Sequence, residues 1–142
     1  MSAPSLKTFL RNNSPAILWG AFIVLLTSLP GDLLPVLPKF VDLLKPDKLV
    51  HIFMFLVFVF LLLHGFTRKG NPLLIERYAV LTGLVIAITI GGITELLQGL
   101  VIPMRVASPY DFIANVLGCF SGWGVFAFMR KKKPGWKNSP QG

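Results

Sequence analysis

Charged residues are scarce in this chain: lysine, arginine, aspartate and glutamate together make up 14% of its 142 residues. An average soluble domain carries roughly 25% charged residues. Hydrophobic residues reach 54%, and they are gathered into long runs instead of being spread along the chain. Because long apolar runs are typical of membrane spans, the composition argues against a soluble domain.

Cysteine and the common catalytic motifs are also nearly absent. The single Cys119 excludes an intramolecular disulfide, and its position inside an apolar run indicates a small packing residue. The sequence has no H-E-x-x-H motif or paired cysteines, and no G-x-S-x-G, P-loop or dinucleotide-binding motif. We therefore predict no cofactor and no metal.

The chain nevertheless carries a net charge of +8. Its basic residues flank the apolar runs and do not form one patch with interleaved aromatics, which argues against nucleic-acid binding. Five of them lie in the C-terminal tail: Arg130, Lys131, Lys132, Lys133 and Lys137. A tail of this kind is typical of a cytoplasmic flank.

The apolar runs predict an all-α fold, a bundle of four transmembrane helices at about 15–29, 48–66, 74–101 and 109–129. Ser14-Pro15 is a good helix start, and Pro30-Gly31 ends the first run. Its fifteen helical residues span only about 22 Å, short of the roughly 30 Å core, so the helix is little tilted, starts earlier or lies in a locally thin bilayer. A cleavable signal peptide is the alternative for this run, although Thr27-Ser28-Leu29 is a poor cleavage site.

The segments outside the spans complete the predicted organisation. Residues 1–14 form a cytoplasmic N-terminal segment, 15–129 the membrane domain and 130–142 a basic tail. Residues 30–47 are rich in proline, and four apolar side chains there would share one face of a short helix: Leu37, Phe40, Val41 and Leu44. We expect an amphipathic segment on the membrane surface in the first outer loop.

Lysine and arginine counts predict the orientation. With a cytoplasmic N-terminus, the inner segments hold ten of these residues, which are Lys7, Arg11, Arg68, Lys69, Arg77 and the five of the tail. The outer segments hold four: Lys39, Lys45, Lys48 and Arg105. The bias favours both termini inside.

This topology brings eight polar side chains from three segments to the outer membrane face: Asp47, Lys48, His51, Glu95, Gln98, Arg105, Asp111 and Asn115. Asp47 and His51 are four residues apart and share a helix face if the helix begins early enough. Gly118 and Gly122 form a G-x-x-x-G step that lets another helix approach closely.

Glu95 most requires a role, because a lone carboxylate in lipid costs a few kcal/mol. It must be protonated or pair, with Arg105 or Lys48 as candidate partners; a purely structural pair is the alternative. His51 is either an interfacial histidine or a general base held by Asp47 or Asp111. A metal site is a further, weaker alternative, since it matches no strong signature. Its ligands would be His51, Glu95, Asp111 and Asp47.

Along the chain these residues form an ordered series of short motifs: Ser28-Leu29-Pro30, Asp47-Lys48-x-x-His51, Glu95-x-x-Gln98, Arg105, and Asp111-x-x-x-Asn115-x-x-Gly118-x-x-x-Gly122. In this order and spacing the sequence resembles the VanZ-like family of small membrane proteins over residues 28–122. The resemblance implies a multi-pass protein of the bacterial cytoplasmic (inner) membrane. It also implies a link to the family namesake's low-level resistance to the glycopeptide teicoplanin.

Two functions remain open. In the first, the polar cluster binds a membrane lipid headgroup or a lipid-linked or anionic envelope component, with Asp47, Lys48, Gln98, Arg105 and Asn115 as ligand-binding residues. In the second, the protein is an envelope enzyme with His51, Glu95 and Asp111 as catalytic residues: Glu95 or His51 moves a proton, and Asp111 with Asn115 orients them. No nucleophile stands out, which favours binding or lipid transport.

Overall fold

A computed structural model of the chain describes residues 5–30, 46–102 and 107–131. Within these residues all regular secondary structure is helical. The helices are α1 (Leu6–Thr27), α2 (Pro46–Phe66), α3 (Leu73–Arg77), α4 (Ala79–Leu100) and α5 (Pro109–Lys131). All except the five-residue α3 are long and apolar enough to cross a membrane. The predicted all-α fold with four membrane-spanning helices is confirmed.

Helix α1 begins at Leu6, earlier than the predicted start at Ser14-Pro15. Pro15 lies inside the helix, where its missing N–H leaves the carbonyl of Arg11 without its usual donor. The Ser14 hydroxyl donates to that carbonyl at 3.1 Å and replaces the lost bond. At 22 residues and about 1.5 Å per residue, the helix is about 33 Å long and matches the bilayer core.

The third predicted span, 74–101, is divided at Tyr78. The backbone of this residue has φ −110° and ψ 28°, which interrupts the helix and separates the short α3 from α4. The other predicted ends lie close to the observed ones. The predicted amphipathic segment within 30–47 falls almost entirely outside the described residues.

Successive long helices alternate in direction, and α2 packs against the other three. Its side chains Phe55, Val59 and Leu63 are fully buried and form the centre of the core. The indole Nε1 of Trp19 on α1 donates to the carbonyl of Met54 on α2 at 2.9 Å. A transmembrane bundle gains little from apolar burial against lipid, so such close packing and interhelical hydrogen bonds stabilise it.

Helices α2 and α5 approach each other most closely, at two glycines. A Cβ atom on Gly118 would collide with the carbonyl oxygen of Ile52, and one on Gly122 with that of Leu56. The predicted G-x-x-x-G step therefore brings the α5 backbone against the α2 backbone. This contact fixes the rotation of both helices and hence the direction of their polar side chains.

One end of the bundle, here called the basic end, contains the start of α1 and the end of α2. The described part of the chain places seven lysines and arginines near it: Lys7, Arg11, Arg68, Lys69, Arg77, Arg130 and Lys131.

An asparagine network that the sequence did not predict joins the helices at the basic end. Asn71 Nδ2 donates to the carbonyls of Gly65 and Arg68, both at 2.8 Å, and caps α2. Asn13 on α1 donates to Asn71 Oδ1 at 3.4 Å.

The opposite end, here called the pocket end, contains the end of α1, the start of α2, the end of α4 and the start of α5. The amide of Gln98 joins α4 to α1 there by donating to the carbonyl of Thr27 at 3.1 Å.

Candidate functional site

Six of the eight predicted polar side chains lie together at the pocket end. They are Asp47, Lys48 and His51 from the start of α2, Glu95 from α4, and Asp111 and Asn115 from the start of α5. Helix α2 begins at Pro46, early enough for Asp47 and His51 to share a helix face as expected. Because the helices alternate in direction, these segments reach the same depth.

Lys48 and Asp111 form an ion pair between α2 and α5. Nζ of Lys48 donates to Oδ1 of Asp111 at 2.6 Å, and the two side chains are 27% and 13% exposed. The ammonium also lies 5.5 Å from the ring centroid of Tyr110, in cation–π contact. An ammonium has three donors, so Lys48 can bind a further acceptor while it remains paired.

His51 is buried, and its two ring nitrogens face different groups. Nδ1 lies 2.9 Å from Oδ1 of Asn115 and 3.8 Å from Oε1 of Glu95. Nε2 lies 4.0 Å from Oδ1 of Asp47, whose side chain is 62% exposed. With the Asn115 amide in this orientation, Nδ1 carries the proton and donates to Oδ1. Asn115 therefore orients the imidazole, whereas Asp111, the other residue expected to orient it, pairs with Lys48.

Glu95 is buried and only partly hydrogen-bonded. Its Oε2 accepts a hydrogen bond from the backbone N–H of Ser108 at 3.3 Å. Its Oε1 has no hydrogen-bond partner among the described residues, and neither does the Nδ2 of Asn115. Of the two partners proposed from the sequence, Lys48 pairs with Asp111 instead. Among the described residues, the side chain nearest to Glu95 that can carry a positive charge is the imidazole of His51.

The remaining two predicted residues stand apart from this group. Gln98 is buried, but its amide bonds to α1 and not to the polar cluster. Arg105 lies outside the described residues. Sequence reasoning overlooked Tyr110, whose position beside Asp111 at the start of an apolar helix was the available signal, since aromatic residues are enriched at membrane interfaces.

Exposed apolar side chains occupy the same helix ends as the polar cluster. They include Leu49 and Phe53 on α2, Leu97 and Leu100 on α4, and Tyr110 on α5, each between 42% and 82% exposed. In a membrane these side chains would contact lipid. The pocket end therefore combines a partly exposed ammonium, Lys48, with an exposed apolar surface.

A histidine and two carboxylates also come together in the cluster. One ligand atom from each of Asp47, His51 and Asp111 lies within 4.8 Å of those of the other two. These residues come from two helices and are separated by up to 64 positions in the chain, so no local sequence motif could have indicated the grouping. Such a set can exchange protons or hold a cation.

Comparisons with protein-family models, with curated proteins and with solved structures give no match to this chain. The fold and composition define its class: a multi-pass, all-helical membrane protein with a partly buried polar cluster at one end of the bundle. Its particular function is argued from the chemistry of that cluster.

Proposed function

We propose that this protein is a VanZ-like membrane protein whose outward-facing polar pocket binds the headgroup of a lipid-linked or anionic envelope component. It resides in the bacterial cytoplasmic (inner) membrane with both termini in the cytoplasm. The resemblance to the family links it to glycopeptide (teicoplanin) resistance.

One observation carries the proposal: polar side chains from three membrane-spanning helices converge beside an exposed apolar surface. Polar groups in membrane spans are costly and usually mark a functional site. Lys48 is partly exposed, retains donor capacity and lies next to an interfacial tyrosine. That combination suits a phosphate or carboxylate at the membrane surface.

An envelope enzyme is the second candidate, and the arrangement of His51 favours it. The imidazole lies between a buried carboxylate, Glu95, and an exposed one, Asp47. A histidine in such a position can move a proton between solvent and a buried site. Turnover of a lipid-linked substrate that is lost in His51→Gln, with headgroup binding retained, would favour the enzyme over the binding protein.

We expect the basic end to face the cytoplasm. Seven described lysines and arginines lie near that end, against Lys48 at the pocket end, and positive residues are retained on the cytoplasmic side. An alkaline phosphatase fused after the C-terminus should be inactive, and a green fluorescent protein fused there should fluoresce. The reverse pattern would place the pocket in the cytoplasm and contradict the envelope-facing site.

Lys48→Met should weaken headgroup binding about tenfold, because a hydrogen bond to a charged group contributes about 1.5 kcal/mol. The measurement is the association of spin-labelled phosphatidic acid with the protein in phosphatidylcholine vesicles, in the same chelator-free buffer for every variant. Methionine preserves most of the length and apolar surface of the lysine.

The matched control is Lys69→Met, the same substitution on an exposed lysine at the basic end. It should leave phosphatidic acid binding within twofold of the wild type. An equal loss in both variants would indicate general attraction to basic residues, and no loss in Lys48→Met would overturn the proposed headgroup site.

A further inference from the structure

We propose that Asp47, His51 and Asp111 form a binding site for a divalent transition-metal cation, which lets this acid-rich pocket hold an anionic headgroup. The inference deepens the proposed function and rests on it for the role of the cation, although the cation site itself can be tested without lipid. Three steps lead to it: the orientation of His51, the unpartnered oxygen of Glu95 and the charge balance of the pocket.

The first step is the orientation of the imidazole. Nδ1 of His51 lies 2.9 Å from the amide oxygen of Asn115, and with the amide in this orientation Nδ1 is the nitrogen that carries the proton. The neutral ring then presents the lone pair of Nε2 toward the carboxylate of Asp47, at 4.0 Å. Their separation is close to twice a metal–ligand distance of about 2.1 Å, so a cation fits between these two acceptors. A metal-bound histidine typically has this arrangement, with its second nitrogen donating to an oxygen of the protein.

The second step is Glu95, which is independent of the three ligands. Its side chain is 7% exposed, and its Oε1 has no hydrogen-bond partner in the described part of the chain. This oxygen lies 3.8 Å from Nδ1 of His51. A cation on Nε2 would polarise the imidazole and supply the positive charge that the buried carboxylate faces. Because Oε1 lies beyond hydrogen-bond distance of Nδ1, Glu95 would act on the metal-bound imidazole through its charge alone.

The third step is charge. Among the described residues, the pocket holds three carboxylates, Asp47, Glu95 and Asp111, against one lysine, Lys48. With a neutral His51 this surplus of negative charge would repel a phosphate. A divalent cation held by two of the carboxylates offsets it and offers open positions to phosphate oxygens. The same cation would therefore attract an anionic headgroup to an acidic pocket.

The geometry requires small adjustments. Atoms bound to one cation at about 2.1 Å lie at most about 4.2 Å apart, while the three ligand atoms lie within 4.8 Å of one another. The exposed side chain of Asp47 is free to close this difference. Lys48 bonds to Oδ1 of Asp111 and would compete with the cation for this carboxylate. The mixed nitrogen and oxygen set suits zinc or manganese better than magnesium or calcium.

The test is isothermal titration calorimetry. The purified, metal-stripped protein in detergent is titrated with zinc, manganese, magnesium or calcium chloride. We expect one site per chain, with zinc bound more tightly than magnesium or calcium. Asp111→Asn and His51→Gln should each weaken zinc binding at least tenfold, and Glu95→Gln about tenfold through the imidazole. Lys48→Met should tighten binding, because it removes the competing ammonium. The matched control Glu76→Gln, at the basic end, should bind zinc as the wild type does.

A second measurement detects the histidine ligand directly, so it separates loss of the site from loss of folding. Pulsed electron paramagnetic resonance of bound manganese should show coupling to one imidazole nitrogen in the wild type and lose it in His51→Gln. Absence of a stoichiometric site, or zinc binding unchanged in Asp111→Asn, would overturn the proposal and would leave a proton on Nε2 as the remaining explanation. Zinc binding without phosphatidic acid binding would instead contradict the proposed function and leave the cation site standing.

Discussion

Gly118→Ala is expected to destabilise the protein by about 3 kcal/mol, the upper part of the range for overpacked sites. The added Cβ would collide with the carbonyl oxygen of Ile52 and approach the Cβ of Phe55 to 3.0 Å. A backbone carbonyl in the middle of a helix cannot turn away, so α2 and α5 must separate. Denaturant unfolding in detergent, followed by circular dichroism, measures the loss.

Gly124→Ala is the matched control on the same helix. A Cβ atom there would meet nothing within 4 Å, and alanine is the better helix former. We expect this variant to be as stable as the wild type or slightly more stable. If Gly118→Ala is equally stable, the close approach of α2 and α5 is wrong, and with it the position of the pocket residues.

The separation of α2 and α5 should also weaken the site. Lys48 and His51 belong to α2, while their partners Asp111 and Asn115 belong to α5. Both contacts depend on the distance between the two helices. Gly118→Ala should therefore lose headgroup binding at temperatures where it is still folded, and Gly124→Ala should retain it.

Glu95→Gln should abolish the function of the pocket while leaving the fold intact. The glutamine can still accept the hydrogen bond from the backbone of Ser108 and has nearly the same size. It removes a buried charge whose Oε1 lacks a hydrogen-bond partner among the described residues, so the free energy of unfolding should stay the same or rise. We expect phosphatidic acid binding, and any teicoplanin resistance that the protein confers, to fall at least tenfold, because the charge of Glu95 supports the imidazole that holds the proposed cation.

The control for this prediction is Glu76→Gln at the basic end. Glu76 Oε1 accepts from the backbone N–H of Asn71 at 3.1 Å, and a glutamine can do the same. This variant should behave as the wild type in both assays. Full binding and full resistance in Glu95→Gln, expressed at the normal level, would contradict a pocket that depends on charge.

The polar cluster shows how far sequence reasoning reaches. In a bundle of antiparallel spans, every second loop lies on the same membrane face. The order of the apolar runs was therefore enough to predict that Asp47, His51, Glu95 and Asp111 meet. The pairing within the cluster did not follow. Lys48 bonds to Asp111 and not to Glu95, because pairing depends on how each helix is rotated about its own axis.

The helix ends show the same limit. The sequence analysis started the first helix at Ser14-Pro15, since serine and proline are good helix-start residues. In the folded chain, the Ser14 hydroxyl bonds to the carbonyl that Pro15 leaves without a donor. Asn13 holds this earlier turn against Asn71. The second of these bonds joins residues 58 positions apart, so local preference could not reveal it.

The sequence alone determined the class of this protein, because a bilayer requires long apolar helices and each run is recognisable by itself. It also predicted six of the polar side chains that meet in the pocket, although it included Gln98 and missed Tyr110. Only the tertiary structure decided how they are paired. The backbone contact of Gly118 and Gly122 with α2 sets the rotation of two helices, and that rotation directs Lys48 to Asp111 and His51 to Asn115.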